Sequence, residues 1–425
     1  MINVKFLFIG TVLLALHTRW APAQHRETLT IEVAVARAEE HYPLVRQYAL
    51  IEQSRAYSVE NASKGYFPQA SLAGQASYQS DVTRLPFSLT NMEVPVVSRD
   101  QYRIYGEVVQ PITDVFRTIP YRRNLADAQA EVDKKKLEVE LYQLRDRVQQ
   151  LFFGILLIDA QLEQTVLSQA DVRSGMEQLQ VAVKHGAALQ SSMDLLRAES
   201  LKLDQKTIEL ASARKSYLNM LGSFTNLHLD ETTAFEIPVM LVPSGGINRP
   251  ELALVEQQKR VLAIKEGLLR AAIRPRFSLF FQGGYGRPAL NMLNNDFDLY
   301  YIGGLRLNWN LSGFYTYKNE RQALRIHRNS LDLQAETFLF NADLSLQQQG
   351  VELGKLQELM VKDREIIALR ESIKGNAQNQ LANGTITAHD YVKVVHEEDR
   401  ARQEMALHRI QYLMAQYKHQ FISGD

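Results

Sequence analysis

The chain has 425 residues, of which 48 are basic and 48 acidic, and it contains no cysteine. The balanced charge offers no basic surface for nucleic acid, so we expect no nucleic-acid partner. Without cysteine we expect neither disulfides, zinc–thiolate sites nor a lipid-modified N-terminal cysteine.

Residues 1–23 have the pattern of a secretory signal peptide. Lys5 supplies positive charge, residues 6–16 are apolar, and Ala21-Pro22-Ala23 is a small-x-small cleavage site. The apolar run is shorter than the roughly 20 residues that a membrane-spanning helix needs. We therefore expect the mature protein to begin near Gln24, outside the cytoplasm. The longest later apolar run, 151–158, is too short to span a membrane and indicates burial by other protein.

The first elements after this segment are a helix and two strands. The helix, over 29–65, is broken at Pro43 and ends before Pro68. Two stretches then alternate with period two around a polar loop at 81–101, which predicts two strands. Their apolar faces consist of Leu72, Gly74, Ala76 and Tyr78, and of Tyr102, Ile104, Gly106 and Val108.

A helix far longer than an ordinary globular one follows, from about Phe116 to His185. Its apolar residues recur at heptad spacing, which predicts a coiled-coil seam. At 1.5 Å per residue the helix is roughly 100 Å long. It turns near Gly186, and a second periodic stretch runs back. A rod of this length indicates an extended molecule rather than a compact domain.

The second half of the chain repeats this order. Pro43 and Pro68 are as far apart as Pro250 and Pro275, and a second strand pair, a second long helix and a turn at Asn383-Gly384 follow. The pattern predicts a first repeat at 24–225, a linker at 226–247 near the middle of the rods, and a second repeat at 248–425. Each repeat consists of a helix, two strands and a helical hairpin.

The four strands have the length and alternation of transmembrane β-strands, with aromatic residues near their ends. Four strands cannot close a barrel, and open edges are not stable in lipid, so several copies must share one barrel. On the opposite, lumen-facing side we expect Gln75, Glu107 and Arg306. The side chains predicted to face lipid are Leu72, Tyr78, Ile104, Phe281, Leu305, Leu307 and Trp309.

Three motifs, together with the order of helices and strands described above, resemble the TolC family of outer-membrane efflux proteins. Arg249-Pro250-Glu251-Leu252 is similar to the family motif that opens the second repeat. Gly186 with 194–199 (Asp-Leu-Leu-Arg-Ala-Glu) resembles its hairpin-turn pattern, and Gly384 with Asp390-Tyr391-Val392 is a weaker second copy. The resemblance covers essentially the whole mature chain. Many members of the family are lipoproteins, and the lack of cysteine is a departure from them.

The resemblance implies a mostly α protein with transmembrane β structure: a trimeric TolC-like α/β barrel with an internal two-fold repeat. Three chains would give twelve strands in the outer membrane and twelve helices in the periplasm. Such a channel is the passive exit duct of a tripartite efflux pump or a type I secretion system. Its partners would be a periplasmic adaptor protein, an inner-membrane pump and outer-membrane lipid.

The two hairpin turns are the predicted adaptor-docking tip, at His185, Gly186, Asn383 and Gly384. Charged residues near the tips weaken the seam, which makes this end a candidate gate. The candidate gate residues are Arg370, Lys374, Asp194 and Asp390. The two aspartates could instead cap the return helices. His185 and His389 are interpreted as solvated, with a pH-sensitive ring as the alternative.

No pattern of catalytic residues is present, so we expect neither an enzyme nor a cofactor. His396 and Glu397 begin like a zinc-protease helix, but the second histidine is missing. Two other classes remain open, a periplasmic coiled-coil adaptor and a secreted enzyme with helical decoration. An adaptor would have one hairpin and a compact β domain rather than two hairpins with two strand pairs.

Overall fold

The computed structural model describes residues 28–83, 97–186, 188–239, 246–292 and 294–424. The predicted signal peptide, 1–23, lies outside the described residues. In chain order the elements are α1 (Ile31–His41), a 3₁₀ turn (Pro43–Arg46), α2 (Gln47–Ser63), β1 (Gln69–Tyr78), β2 (Asp100–Pro111), α3 (Thr113–Phe116), α4 (Thr118–Lys184), α5 (Gln190–Thr225), α6 (Pro250–Ala272), β3 (Arg276–Arg287), β4 (Asp298–Asn308), α7 (Gly313–Ala382) and α8 (Ala388–Ser423).

Local sequence explains where the shorter helices begin and end. The hydroxyl of Thr30 accepts a hydrogen bond from the Val33 amide and caps α1. Pro43 interrupts the first helix, as predicted, and Pro250 occupies the first turn of α6, where its missing N–H costs nothing. Asn226 ends α5 in the left-handed conformation.

The four strands form one antiparallel sheet in the order β1-β2-β3-β4. Leu72 lies opposite Gly106, Gly106 opposite Gly283, and Gly283 opposite Tyr301. Because side chains alternate between the faces of a sheet, this register places all four predicted apolar faces on the same side. The two strand pairs join at β2 and β3. In the single chain the sheet is open, with β1 and β4 at its edges.

The two long helices extend away from the sheet as rods of similar length. Helix α4 has 67 residues and α7 has 70, and each is followed by a return helix of 36 residues, α5 or α8. Helix α4 packs against α2 and α6 as well as α5 and α8. The predicted seam of α4 is buried at Leu137, Leu144, Val148, Leu151 and Ile155.

The largest apolar core lies near the middle of the rods. It is built around Phe152 and Phe153 of α4, with side chains from α1, α5 and α8. The described part of the predicted linker packs here, where the Phe235 ring lies 5.3 Å from that of Phe152. Its backbone pairs with Leu29, whose amide donates to the Ala234 carbonyl over 2.9 Å. The division into two repeats and a linker remains a prediction.

The apolar centre of α4 also bears on the prediction that no later segment could span a membrane. By length and composition alone, the helical stretch 113–184 is the one such stretch that qualifies among the described residues. The apolar stretch is therefore longer than the run 151–158 on which that prediction was based. Half of the qualifying window is buried against other parts of the chain. This burial agrees with the interpretation of the stretch as protein core.

The Arg-Pro-Glu motif forms a corner between the start of α6 and the end of α8. The buried guanidinium of Arg249 lies 4.5 Å from the ring centres of both Tyr142 and Phe421. It donates to the Phe421 carbonyl over 2.6 Å and pairs with Glu251 at 2.5 Å. A planar guanidinium can stack and donate at once, whereas a lysine ammonium cannot. The motif therefore fastens the end of α8 to the start of α6 and to Tyr142 of α4.

Candidate functional site

The apolar face of the sheet is largely uncovered in the single chain. All seven side chains predicted to face lipid are exposed, from 49% at Trp309 to 76% at Leu72. Large contiguous apolar surfaces of this kind mark a membrane or protein contact. Six of the seven lie within strands on one face. Trp309 lies one residue beyond β4, and its indole N–H donates to the Ile273 carbonyl over 2.9 Å.

The opposite face of the sheet carries polar and charged side chains. Glu107 on β2 and Arg306 on β4 form an ion pair of 2.6 Å that crosses over β3. The guanidinium of Arg306 lies 4.3 Å from the ring centre of Phe280, between them. Gln282 donates to the Tyr300 hydroxyl over 3.3 Å. A face of this composition suits water, while the other suits hydrocarbon.

The far ends of the two hairpins come together in one apolar cluster. Leu179 and Leu196 of the first hairpin pack with Leu381, Tyr391 and Val395 of the second. The two turns are therefore at the same end of the molecule, as the similar rod lengths predict. We call this end the tip, comprising residues 179–196 and 377–395 apart from residue 187, which lies outside the described residues.

The four residues predicted for adaptor docking all lie exposed at the tip. His185 and Asn383 end α4 and α7. Gly186 and Gly384 follow them with φ of +70° and +71°, the left-handed conformation in which glycine ends a helix without strain. A Cβ atom at either glycine would meet nothing within 4 Å. The turns are therefore open to a partner, and their role in docking remains a prediction.

The candidate gate residues do not all lie in one cluster. Asp390 forms a capping box at the start of α8, where its amide donates to the Thr387 hydroxyl and the Thr387 amide donates back to its carboxylate, both over 3.2 Å. Hydrogen bonds from the Thr387 side chain and backbone lower the pKa of Asp390. Asp194 is exposed and accepts a hydrogen bond from Gln190, while Leu189 occupies the cap of α5. Capping thus accounts for Asp390 and not for Asp194.

Lys374 takes part in an ion-pair network that joins three helices, and Arg370 forms a separate ion pair beside it. Lys374 on α7 contacts Asp171 on α4 at 2.8 Å and Glu398 on α8 at 3.2 Å. Burial alone would lower the pKa of Lys374, but these two carboxylates raise it. Arg370 pairs with Glu397 of α8. We call the network and the Arg370–Glu397 pair together the tip clamp; its members are Asp171, Arg370, Glu371, Lys374, Glu397, Glu398 and Arg402.

Glu398 is the centre of the tip clamp and was not predicted from the sequence. Its side chain is 1% exposed and accepts from both Lys374 and Arg402. An ionised carboxylate at this depth requires such partners. A signal was present: Glu398 lies seven residues after the buried Tyr391, so it occupies the same heptad position of α8.

Tyr391 closes the clamp on the side of the turns. Its buried ring lies over Gly175 of α4, where a Cβ atom would come within 2.7 Å of the ring. The hydroxyl donates to the Asp171 carbonyl over 3.2 Å. Burial, with the nearby charge of Asp171, raises the pKa of Tyr391 to about 12, so the hydroxyl stays protonated. Gly175 therefore sets how closely α8 approaches α4.

Comparisons with solved structures identify the architecture. The outer membrane channel CmeC of Campylobacter jejuni superposes with a TM-score of 0.64 at 12% identity, covering 93% of this chain and 85% of that one. The open state of the Neisseria gonorrhoeae MtrE outer membrane channel gives 0.66 at 14% identity, covering 93% and 88%. The outer-membrane channel OprN gives 0.68 at 12% identity, covering 93% and 89%.

This chain therefore has the fold of outer membrane channels, and the predicted TolC-like architecture is confirmed. No protein-family model and no curated protein matches the sequence. The likeness extends over both strand pairs and both hairpins, so it gives no support to the single-hairpin adaptor considered above. The similar structures are those of channel proteins rather than enzymes. Within the part of the chain that is described, no group of three or more His, Asp or Glu side chains could hold a metal ion.

Proposed function

We propose that the chain is the outer-membrane channel component of a tripartite efflux pump or a type I secretion system. It is a passive exit duct, with the sheet in the outer membrane and the helical rods in the periplasm. The observation that carries the proposal is the sheet with one exposed apolar face and one charged face, from which two equal hairpins extend to a shared tip. An adaptor protein and an inner-membrane pump would supply recognition and energy.

The working form in this proposal is a homotrimer. The sheet has unpaired edges at β1 and β4, which lipid does not tolerate, and three copies would close it with twelve strands. In neutral detergent we expect a mass of three chains by light scattering, and discrete conductance steps in planar bilayers. A stable monomer in detergent that forms no pores would contradict both the barrel and the duct.

The open turns at the tip give a test of adaptor docking. Gly384→Val forces a β-branched residue into the left-handed conformation, at a cost of about 1–2 kcal/mol, and puts a bulky side chain on the exposed turn. We expect loss of efflux with normal trimer assembly, measured by drug accumulation and by native gels. Gly350→Val is the matched control, because Gly350 also has open space around its Cβ position but lies mid-helix with negative φ. Efflux reduced equally by both variants would contradict a special role for the turn.

A further inference from the structure

The two ends of the sheet differ in charge. At the end that joins the helices, the exposed basic side chains without an ion-pair partner among the described residues include Arg117, Arg122, Arg123, Arg274 and Lys318; we call these five the basic collar. All five lie within twelve residues of a strand end. Because the side chains are exposed and unpaired, their charges are available to an external partner.

Acidic residues at this end do not neutralise the collar. Asp114 accepts from Thr118 over 2.7 Å and lies 3.8 Å from Arg276. Glu266 pairs with Arg321 at 3.2 Å and lies 3.9 Å from Arg270, while Glu60 pairs with Lys64 at 2.9 Å. At this level Glu320 is the one acid without an ion-pair partner among the residues that are described.

The other end of the sheet has the opposite balance. Its described charged residues, in 79–83, 97–100, 286–292 and 294–298, are Asp81, Arg99, Asp100, Arg287, Asp296 and Asp298. Acids outnumber bases there, and Arg287 is already paired with Asp100. Among the described residues, the excess of positive charge is therefore found at one end of the sheet and not at the other.

Exposed aromatic side chains lie at the same level as the collar. They include Phe67, Phe116, Trp309 and Tyr315, and each lies within seven residues of a strand end. Aromatic rings in such positions favour the headgroup layer of a bilayer. Long basic side chains beside them can lie along apolar surface and place their charges among the headgroups. Because these aromatic side chains lie beside the collar, a lipid surface fits this end of the sheet better than a soluble polyanion does.

We propose that the basic collar binds anionic phospholipid headgroups, such as phosphatidylglycerol, in the leaflet that faces the helices. The inference rests on the proposed membrane position of the sheet. Each basic side chain near an anionic lipid surface favours binding through charge attraction, and five per chain act together. Lipid bound there would contact the chain where β2, β3 and β4 join the helices, and so stabilise the channel.

The test uses the full-length channel, purified in neutral detergent, with phosphatidylglycerol and phosphatidylcholine of identical acyl chains as probes. Bound lipid is counted by native mass spectrometry, and the shift of the unfolding temperature is recorded. The collar variant combines Arg122→Gln, Arg123→Gln, Arg274→Gln and Lys318→Gln. The matched control removes the same charge from four exposed side chains of the rods, also without ion-pair partners among the described residues, namely Arg173→Gln, Lys184→Gln, Arg197→Gln and Arg364→Gln.

We expect the wild type and the control to prefer phosphatidylglycerol on the order of tenfold, and the collar variant to bind both lipids about equally. A collar variant that keeps the preference, or a control that loses it equally, would overturn the proposal. Conductance in planar bilayers distinguishes failure of the lipid-binding proposal from failure of the proposed channel function. A collar variant that conducts but keeps its lipid preference refutes only the lipid site, whereas a wild type that forms no pores refutes the channel.

Discussion

Phe281→Lys is expected to prevent assembly of the channel, whereas Gln282→Lys, one residue further along β3, is expected to leave it nearly intact. Phe281 lies in the middle of its strand, opposite Gly303, and its ring is exposed on the apolar face. Gln282 points to the other face, where Glu107 and Arg306 already lie. A lysine at the bilayer midplane costs about 2–4 kcal/mol, so the three copies in the proposed trimer would cost about 6–12 kcal/mol.

The measurement is the yield of trimer in the outer membrane, followed on native gels, with refolding into vesicles as a second readout. A second pair of variants nearer the end of the sheet tests the dependence on depth. Leu307 is next to the last residue of β4, so Leu307→Lys should cost only about 0–1 kcal/mol, and Asn308→Lys less. If Phe281→Lys and Gln282→Lys harm assembly equally, the assignment of the two faces is wrong.

The strand faces were predictable because alternation along a strand needs no information from the rest of the chain. Once Leu72 and Ile104 were assigned to the apolar faces of their strands, the antiparallel register placed them on the same side. The ends of the strands were less predictable. The last strand begins at Asp298, so the exposed Leu299 also belongs to the apolar face.

The long helices were predictable from heptads, but the partner of each face was not. Leu359, Ile366 and Ile373 recur at heptad spacing on α7 and yet are exposed in the single chain, while Leu356 and Met360 are buried against Tyr412 of α8. Helix α7 packs along α8 and against α6, and it has a further apolar face that no described residue of the chain covers. A periodic pattern shows that a face is apolar, not what covers it.

The tip clamp was only half predictable. Lys374 stood out as a charged residue in a heptad seam, but its contacts lie on α4 and α8, and Asp171 is about two hundred residues away in the sequence. Such pairings depend on how the two hairpins pack together, which no local pattern encodes. The same holds for Arg249, whose contacts with Tyr142 and Phe421 bring together three distant parts of the chain.

Lys374→Met is expected to raise the conductance of the channel in planar bilayers. The substitution removes the side chain that connects α7 to Asp171 of α4, and it leaves the buried Glu398 with Arg402 as its remaining cation. The free-energy cost lies between the ~1 kcal/mol of an exposed ion pair and the ~3–5 kcal/mol of breaking a buried one. The lost ion pairs of Lys374 lie near the tip, far from the sheet and from the apolar core in the middle of the rods. The helices near the tip should therefore separate more easily, while the sheet and that core stay intact.

Lys362→Met is the matched control, since Lys362 lies on the same helix and pairs with Glu365 only on the exposed surface. Its conductance should equal that of the wild type. Arg370→Met removes the pair with Glu397 and should act in the same direction as Lys374→Met. Asp390→Ala removes one of the two partners of the capping box and leaves the Thr387 cap, at a cost of about 1 kcal/mol or less, so its effect on conductance should be smaller than that of Lys374→Met. If Lys374→Met and Arg370→Met both conduct like Lys362→Met, the tip clamp does not hold the channel closed, and the network only stabilises the packing of the three helices.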